Sequence, residues 1–519
     1  MSGNTIQIFI AMSSYMLVVI GIGLFFAKRA NQNSDNYFIG GRTLGPWIAA
    51  MSAEASDMSG WLLMGLPGVA YWCGLADAAW TAIGLAVGTY LNWLLVSKRL
   101  RRYSAVAGNA ITIPDYFSNR FHDTKKILMT IAAVFILVFF TVYAASCFVT
   151  CGKLFSTLFG FSYHSMMIAG AIFVIIYTFL GGFLAESTSD FMQAVVMITA
   201  LVAVMAVSTV AAGGLGQMFA NISNIPGFFE FFGIAQPVVA DGVQQVQNGN
   251  ALFGTAGAYG LLTILSTVSW GLGYFGMPQV LLRFMAIEKS GELKKSRRLA
   301  TSWAVISMLA AVMIGITGRA LYPTALTTAG SAENIFILVS STLLPPLLAG
   351  FAMAGILAAT ISSSDSYLLI ASSALAKNMF QGVIKKDATD KQIMVVTRIT
   401  LITITVIGMI IAMDETSIIF RVVSFAWAGF GATFGPIMLF SLFWKRTTIE
   451  GAIAGMLAGG ISVFVWKLAI RPIGGVWGLY ELGPAFLISC IFIVAVSLLT
   501  REPSEEIQQE FEKAKTFEC

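Results

Sequence analysis

Long apolar runs recur along almost the whole chain and constrain its fold more than any other feature. About 20 apolar residues are enough for an α-helix to cross the hydrocarbon core of a bilayer. In that core the backbone must satisfy its own hydrogen bonds, which favours helices. The chain is therefore predicted to be an all-α polytopic membrane protein with about 13 spans. They are placed at 6–26, 46–73, 80–97, 127–151, 163–183, 188–212, 257–285, 299–321, 345–375, 393–412, 417–443, 450–468 and 481–499.

Composition agrees with this class and narrows the function. Hydrophobic residues make up 57% of the chain and charged residues only 11%, against about 25% charged in soluble domains. The sequence contains no phosphate-binding loop, zinc-protease motif, nucleophile elbow or metal-type Cys/His spacing. These patterns argue against an enzyme or an ATP-driven pump. The basic residues behind the net charge of +5 lie in short loops, so they indicate orientation rather than nucleic-acid binding, and nothing indicates an obligate protein partner.

The Lys and Arg residues predict the sidedness of the chain, because cytoplasmic loops carry an excess of both. The opposite set of loops is nearly free of them, and the stretch 213–257 has none. The amino end is therefore predicted to be outside the cell membrane and the carboxyl end in the cytoplasm. The basic loops contain Lys28, Arg29, Arg42, Lys98, Arg99, Arg101, Arg102, Lys289, Lys294, Lys295, Arg297, Arg298, Lys385, Lys386, Lys391, Lys445 and Arg446.

Two spans are interrupted by glycine and proline at matching positions. GWLLMGLPG begins at Gly60 and GLGYFGMPQ begins at Gly271, so that two glycines and a proline match at one offset of 211 residues. These are spans 2 and 7, which cross the membrane in opposite directions. Broken helices at equivalent places in an inverted repeat indicate the midplane binding site of a secondary transporter.

The repeat predicts the organisation of the chain. Spans 2–6 and 7–11 form two inverted five-span halves, and spans 1, 12 and 13 are peripheral. The predicted segments are 1–45 (first span and cytoplasmic loop), 46–212 (first repeat), 213–256 (extracellular loop), 257–444 (second repeat), 445–500 (last spans) and 501–519 (cytoplasmic tail).

Span 2 carries two acids, Glu54 and Asp57. A charge at the bilayer centre costs about 2.5–3.5 kcal/mol on the insertion scale, so both side chains must face protein, water or a cation. Protonation or pairing with arginine is the alternative, most of all for Glu54. Carbonyl groups freed at the break are possible cation ligands.

Span 9 offers a second set of oxygen ligands. Ala359, Ser362 and Ser363 have the i, i+3 and i+4 spacing of one helical face. Facing the carbonyl groups of span 2, they would form an all-oxygen cage for a hard cation such as Na⁺. The alternative is that small residues here only let helices pack closely.

Aromatic residues surround the predicted breaks. Trp61 follows the first break, Trp270 and Tyr274 flank the second, and Tyr143 lies in a span with other hydroxyl groups. An aromatic body with a polar tip is a suitable wall for a small, partly apolar amino acid. Ordinary aromatic packing is the alternative.

Four stretches resemble the solute:sodium symporter family, in particular its branch that carries proline. They are SAEASDMSGWLLMGLPG (52–68), YTFLGGFLAESTSDFMQ (177–193), WGLGYFGMPQVLLRFMA (270–286) and AWAGFGATFGPIMLFSLFWKR (426–446). The resemblance runs from about residue 6 to 500. It implies a leucine-transporter-type core of two inverted five-helix repeats and uptake of L-proline driven by Na⁺ as the coupling ion.

The resemblance also implies roles for particular residues. It assigns Na⁺ to Ala55 and Met58 through their backbone, together with Ala359, Ser362 and Ser363, and makes Asp57 important for sodium coupling. It relates proline to Trp61, Tyr143, Trp270, Tyr274 and Pro278, and gating or ion release to Arg42 and Asp190. Glu54 and the sequence GMPQ depart from the pattern of the family.

Several alternatives remain open at this stage. A symporter of the same fold could carry another small amino acid or organic acid, or use H⁺ or Li⁺. A passive channel or a transporter-like sensor belongs to a different class, although the 19 residues after Thr500 leave little room for a signalling domain.

Overall fold

The computed structural model describes residues 3–30, 37–38 and 42–518. Within them, 11 helices are long and apolar enough to cross a membrane. The two predicted spans that are missing from this set are spans 2 and 7, because both are broken into shorter pieces. With these two, the described helices match the 13 spans predicted from the sequence.

The main α-helices of the described residues are numbered in chain order. They are α1 Gly3–Ala30, α2 Pro46–Asp57, α3 Leu66–Cys73, α4 Leu75–Leu91, α5 Ser97–Val106, α6 Ile113–Arg120, α7 Ile127–Phe159, α8 Tyr163–Ala211, α9 Gly214–Ile222, α10 Leu261–Val268, α11 Pro278–Ala286, α12 Leu293–Leu321, α13 Ala329–Ala332, α14 Ile335–Leu343, α15 Pro346–Ser373, α16 Asp390–Ile411, α17 Ile419–Phe443, α18 Ile449–Val465, α19 Leu482–Leu499 and α20 Glu505–Thr516.

Shorter helical turns extend several of these helices. Turns of π-helix are Trp61–Gly65, Asn92–Val96, Ala374–Ile384 and Trp466–Ile470, and turns of 3₁₀-helix are Ser269–Gly276, Ser290–Glu292, Arg471–Ile473 and Gly475–Trp477. Such turns are frequent where a helix is interrupted at a functional site.

The first broken span ends as an α-helix at Asp57 and resumes as a π-helical turn at Trp61. Gly60 lies inside the gap, where an added Cβ atom would approach Thr150 Oγ1 of α7 to 2.3 Å. Only a residue without a side chain fits there. Glycine thus lets the broken backbone lie directly against α7.

The second broken span joins α10 and α11 through the 3₁₀-helix Ser269–Gly276. Pro278 is at the first turn of α11, where its missing N–H is not needed. The backbone here touches α4, since a Cβ atom at Gly271 would lie 2.2 Å from the Gly84 carbonyl oxygen. Glycine and proline therefore produce both breaks that the sequence predicted.

The predicted spans 163–183 and 188–212 are two consecutive helical segments, numbered together as α8, with a kink between them at Gly182. Gly182 has φ 53° and ψ −165°, outside the helical region. Glycine adopts such a conformation without a steric penalty. The bend divides α8 into the two apolar segments Tyr163–Leu180 and Gly182–Ala211.

The stretch between α9 and α10 forms three short antiparallel strand pairs. The strands are β1 Gly233–Ile234, β2 Val239–Ala240, β3 Val243–Gln244, β4 Val246–Gln247, β5 Asn250–Ala251 and β6 Gly257–Ala258. β1 pairs with β6, β2 with β3 and β4 with β5. The loop is anchored to the bundle by Gln244, whose side-chain oxygen accepts hydrogen bonds from the guanidinium group of Arg319 on α12.

Burial separates central from outer helices. In an apolar stretch of 18 residues within each segment, 83% of the residues are buried in the segments that include α15 and α17, against 33% in α1, in the segment beginning with α18 and in α19. α15 packs against α1, α7 and α8, and α17 packs against the second broken span. The predicted ion-binding residues on α15 therefore lie in the most enclosed part of the molecule.

The carboxyl-terminal helix α20 packs on the bundle, although most of its residues are polar. Its Phe511 ring contacts the Tyr103 ring of α5 edge to face at 6.1 Å. Arg120 of α6 lies over the same ring, 5.3 Å from its centre. Polar contacts add to this packing, since His122 lies 3.1 Å from Glu510 of α20.

Candidate ion and solute site between the broken spans

The break in the first span leaves two backbone carbonyl groups without their usual helical donors. The Ser59 N–H donates to Asp57 O rather than to Ala55 O, and the Leu62 N–H donates to Ser59 O rather than to Met58 O. A continuous helix would have used both carbonyl groups in i to i−4 hydrogen bonds. The oxygens of Ala55 and Met58 are therefore available to another ligand.

Helix α15 brings two hydroxyl groups to the first of these carbonyl groups. Ser362 Oγ donates to Ala55 O at 2.8 Å, and Ser363 Oγ is 3.3 Å from the same oxygen. Ser362 Oγ is also 3.2 Å from the carbonyl oxygen of Ala359. The structure thus brings Ala55, Ala359, Ser362 and Ser363 together. Met58 lies in the same break and is fully buried. We call these five residues the ion cradle.

The carboxylate of Asp57 does not point at these serines. Its Oδ1 accepts a hydrogen bond from Gln279 Nε2 of α11 at 3.2 Å. Its backbone oxygen accepts from the Trp61 indole at 3.2 Å and from the Tyr143 hydroxyl at 3.4 Å. Asp57 therefore links the two broken spans and α7.

The aromatic residues predicted to hold the solute divide into two groups. Trp61 and Tyr143 meet at the Asp57 carbonyl group, and the Tyr143 ring lies 4.2 Å from the Tyr367 ring of α15. Trp270 stacks on Tyr480 at 5.0 Å, and its carbonyl oxygen accepts the Trp427 indole N–H at 2.8 Å.

Tyr274 and Pro278 belong to the second group, together with Trp270. The Tyr274 ring packs edge to face on Trp427 at 5.1 Å. Pro278 lines a small cavity together with Thr112 and Ser373. A second cavity, of about 240 Å³, is bounded by Gly65, Gly68 and Phe420, whose ring lies 5.1 Å from the Trp270 ring.

Asp190 belongs to a buried network centred on Arg283 of α11. Arg283 pairs with Glu186 and, at 3.2 Å, with Asp190 Oδ2, both on α8. It also donates to Ser52 of α2 at 3.0 Å and to Ser366 of α15 at 3.0 Å. The guanidinium group thereby joins four helices around the ion cradle.

Arg42 lies where three cytoplasmic segments of the predicted topology meet. Its guanidinium group donates to Met285 O at 2.8 Å, to Ala110 O at 2.5 Å and to Ser104 Oγ at 3.1 Å. Arg42 thus holds α11 to α5 and to the segment before α6.

Sequence reasoning missed several of these residues. Arg283 and Glu186 stand in or beside predicted spans, and the rule that charges inside a membrane are functional would have selected them. Tyr367 follows Ser363 by four residues and so shares its helical face. No local pattern pointed to Trp427.

Two broken spans that meet around freed carbonyl groups and buried hydroxyl groups are the arrangement of a secondary transporter. A sequence profile of the Sodium:solute symporter family matches residues 37–459. The chain belongs to that family, which consists of transporters and not of enzymes.

Curated relatives match over nearly the whole chain. Two proteins named Sodium/proline symporter, from Staphylococcus aureus strains USA300 / TCH1516 and JH9, are each 40% identical over 515 residues, covering 98% of this chain and 96% of the relative.

Solved structures support the fold. A Na⁺-coupled sialic acid symporter in a substrate-bound outward-open state superposes with a TM-score of 0.76 at 17% identity, covering 96% of this chain and 99% of that one. A nucleobase-cation-symport-1 family transporter in a closed conformation superposes with a TM-score of 0.54 at 13% identity, covering 93% of this chain and 100% of that one. The predicted fold class, an all-α membrane protein with a leucine-transporter-type core, is confirmed.

Proposed function

We propose that the chain is a secondary active transporter that couples the uptake of L-proline to the inward movement of Na⁺ by alternating access. The proposal rests on the oxygen cradle between α2 and α15 in a chain 40% identical to sodium/proline symporters over 98% of its length. Inward Na⁺ movement supplies about 2.3 kcal/mol per charge per 100 mV, in addition to the concentration gradient.

In this proposal Na⁺ binds between the first break and α15. Its ligands are the carbonyl oxygens of Ala55, Met58 and Ala359 and the hydroxyl oxygens of Ser362 and Ser363. The two hydroxyl groups now donate to Ala55 and to their own helix, and they can rotate to accept the cation with their lone pairs. Asp57 supports the Na⁺ site indirectly, without contacting the ion, because its carboxylate is held by Gln279.

Proline binds on the other side of the break, against Trp61, Tyr143, Trp270, Tyr274 and Pro278. The aromatic faces contact the apolar ring of the solute. The amides at the start of the half-helix Trp61–Gly65 favour a carboxylate. Arg42 and Asp190 act in gating or ion release, which agrees with their contacts across several helices.

The membrane arrangement is part of the proposal. The chain lies in the cell membrane with its amino end outside and its carboxyl end in the cytoplasm. Residues 46–212 and 257–444 form the inverted repeats, the loop 213–256 is extracellular, and 1–45, 445–500 and 501–519 are peripheral. The basic residues of the cytoplasmic loops support this orientation.

Uptake by purified protein in liposomes tests the proposal. Labelled proline should accumulate above its external concentration only under an inward Na⁺ gradient, because the Na⁺ gradient is the energy source. Accumulation under a proton gradient alone would contradict the assignment of Na⁺. Equilibration without accumulation would indicate a passive channel.

Competition by other solutes tests the substrate. Unlabelled small amino acids and organic acids are added in excess during proline uptake. Proline should compete most strongly, and stronger competition by another solute would overturn the assignment of L-proline. Replacing Na⁺ by Li⁺ in the same assay tests the ion preference.

A further inference from the structure

The start of α12 forms one wall of an open cavity of about 630 Å³ that it shares with the start of α2. None of the lining residues belongs to the ion cradle or to the predicted solute site. In the proposed orientation the cavity opens at the cytoplasmic surface of the membrane, where the spanning segment Ser290–Leu321 begins. The lining consists of Pro46, Trp47, Gly291, Lys294, Lys295, Arg298, Leu299 and Ser302.

Three cationic side chains line this cavity, and no acid does. Lys294, Lys295 and Arg298 are exposed, and none of them forms an ion pair within the part of the chain that the structure describes. Glu288 and Glu292 precede the helix, but the stretch from Glu288 to Arg298 contains five basic residues. The two lysines also stand in the first turn of α12, where the helix dipole disfavours a cation. The cavity thus holds positive charge that a bound anion would balance.

Trp47 supplies an aromatic wall to the same cavity. Lys295 Nζ lies over the Trp47 ring, 5.4 Å from its centre, which is within the range of a cation–π contact. Trp47 is nevertheless 51% exposed. Exposed tryptophans are typical of the level of the lipid headgroups, where the ring contacts hydrocarbon and the N–H reaches water. Trp47 therefore marks the cavity as part of the membrane interface.

The exposed face of α12 changes from basic to apolar along its length. Lys295, Arg298 and Ser302 follow one another on this face at helical spacing. Val305 and Leu309 continue the same face deeper in the span and are 46% and 58% exposed. A soluble anion would contact only the basic end of the face. A molecule with an anionic head and a hydrocarbon chain would contact both ends.

We propose that this cavity binds the headgroup of an anionic phospholipid from the cytoplasmic leaflet. The phosphate group contacts Lys295 and Arg298, whose guanidinium group suits two oxygens of one phosphate. The glycerol region packs beside Trp47, and one acyl chain follows Val305 and Leu309. Basic pockets between membrane helices on the cytoplasmic side are typical of sites for anionic lipids. The choice of leaflet rests on the proposed orientation, whereas the site itself does not depend on the transported solute.

The position of the cavity places the lipid between two helices of the core. Ser296 Oγ of α12 donates to Pro46 O at 2.9 Å, so the start of α2 already touches α12 beside the cavity. α2 ends at Asp57, in the break that contains the ion cradle. A headgroup held by Lys295 and Trp47 therefore bridges α12 and the first broken span and stabilises their contact.

Binding of phosphatidylglycerol to the purified full-length chain in detergent, counted by native mass spectrometry, tests the site directly. Each basic residue near the surface contributes about fivefold to the affinity for an anionic lipid, or about 1 kcal/mol. Lys295→Gln combined with Arg298→Gln should therefore weaken the tightest binding event about 25-fold. Lys386→Gln combined with Lys391→Gln removes two exposed lysines of another basic loop and should bind like the wild-type chain. Equal affinities of the wild-type chain and the first double variant would overturn the proposal.

Other ligands distinguish a lipid site from a site for any anion. Phosphatidylcholine has a phosphate group but no net charge, and it should bind the wild-type chain no more tightly than phosphatidylglycerol binds the first double variant. Inorganic phosphate should not displace phosphatidylglycerol, because it lacks an acyl chain. Displacement by inorganic phosphate would identify a site for a soluble anion, and equal binding of the two lipids would mean that charge plays no part. Either result contradicts the proposal.

Trp47→Leu tests whether the lipid bridges α2 and α12. The variant keeps every charge of the cavity and removes only the aromatic wall that α2 contributes. It should weaken phosphatidylglycerol binding about threefold, in line with the loss of a cation–π contact and the packing beside it. Unchanged affinity would mean that the lipid contacts α12 alone, and the proposed bridge would be wrong.

The unfolding temperature provides an independent measurement, because a ligand that binds only the folded chain raises it. Phosphatidylglycerol should raise the Tm of the wild-type chain and of the control variant, but not that of Lys295→Gln combined with Arg298→Gln. An equal rise in all three would mean that the lipid acts away from this cavity. These measurements involve no transport, so their failure leaves the proposed function intact. Absence of Na⁺-driven proline uptake would in turn refute the proposed function and leave the lipid site standing.

Discussion

At the scale of single residues, the ion cradle depends on which serine hydroxyl groups of α15 face the Ala55 carbonyl group. Ser362 and Ser364 are both buried on α15 and both bond to their own helix. Ser362 also reaches Ala55 O at 2.8 Å, whereas the hydroxyl of Ser364 bonds only to Thr360 and Ile361. The pair therefore separates a role in ion binding from the general effect of removing a buried hydroxyl.

Ser362→Ala should raise the Na⁺ concentration for half-maximal proline uptake about tenfold, equivalent to about 1.4 kcal/mol. The physical reason is the loss of one oxygen ligand from the cradle. Na⁺ titration of uptake in liposomes measures the shift. Ser364→Ala is the matched control and should stay close to the wild-type value; a similar shift in both variants would mean that α15 is merely destabilised.

At the scale of elements, the tail shows how a buried aromatic residue helps to position a charged helix. α20 carries acids in its first turn and lysines in its last, an order that suits the helix dipole. This charge order stabilises the helix but does not determine where it lies. Phe511, 3% exposed, packs on Tyr103 and Arg120, and the contact of Glu510 with His122 adds to this packing.

Phe511→Ala should release α20 from the bundle, because truncation of a buried Phe costs about 3 kcal/mol or more. Limited proteolysis of the purified chain should then cut the segment between α19 and α20 faster than in the wild-type chain. Glu512→Ala changes an exposed neighbour whose side chain contacts Lys515 of the same helix and should be cut at the wild-type rate. Equal rates for Phe511→Ala and the wild-type chain would mean that other contacts hold the tail.

At the scale of the whole molecule, the proposed orientation follows from the distribution of Lys and Arg over the loops. The loop that contains Asn248 has no basic residue between 213 and 257. Asp387 follows Lys385 and Lys386 in one of the basic loops. Both residues are exposed, so they report on opposite sides of the membrane.

Asn248→Cys should react with a membrane-impermeant maleimide in intact cells, and Asp387→Cys should react only after permeabilisation. The background chain lacks the five native cysteines so that labelling comes from the new thiol alone. The reverse pattern would invert the proposed topology. Labelling of both positions in intact cells would show that the maleimide had crossed the membrane.

The sequence by itself determined the spans and the two breaks, because both depend on local chemistry. Apolar length, glycine and proline act on the residues around them, so Gly60, Gly271 and Pro278 could be interpreted without a structure. The same holds for the cradle residues on α15, whose spacing alone placed them on one helical face. The interruption at Gly182 falls at the predicted boundary between the spans 163–183 and 188–212. The bound tail was not predicted, because its polar sequence gave no sign of a docking surface.

Only the tertiary structure decided which distant residues meet. Gln279 lies 222 residues from the Asp57 carboxylate that it holds, and Arg283 lies 97 residues from Glu186. No periodicity in the sequence encodes such pairs, because they depend on how helices that are far apart in the sequence pack together. The same packing places the Glu54 carboxyl group beside the Trp93 indole, on an element that the sequence keeps apart from it.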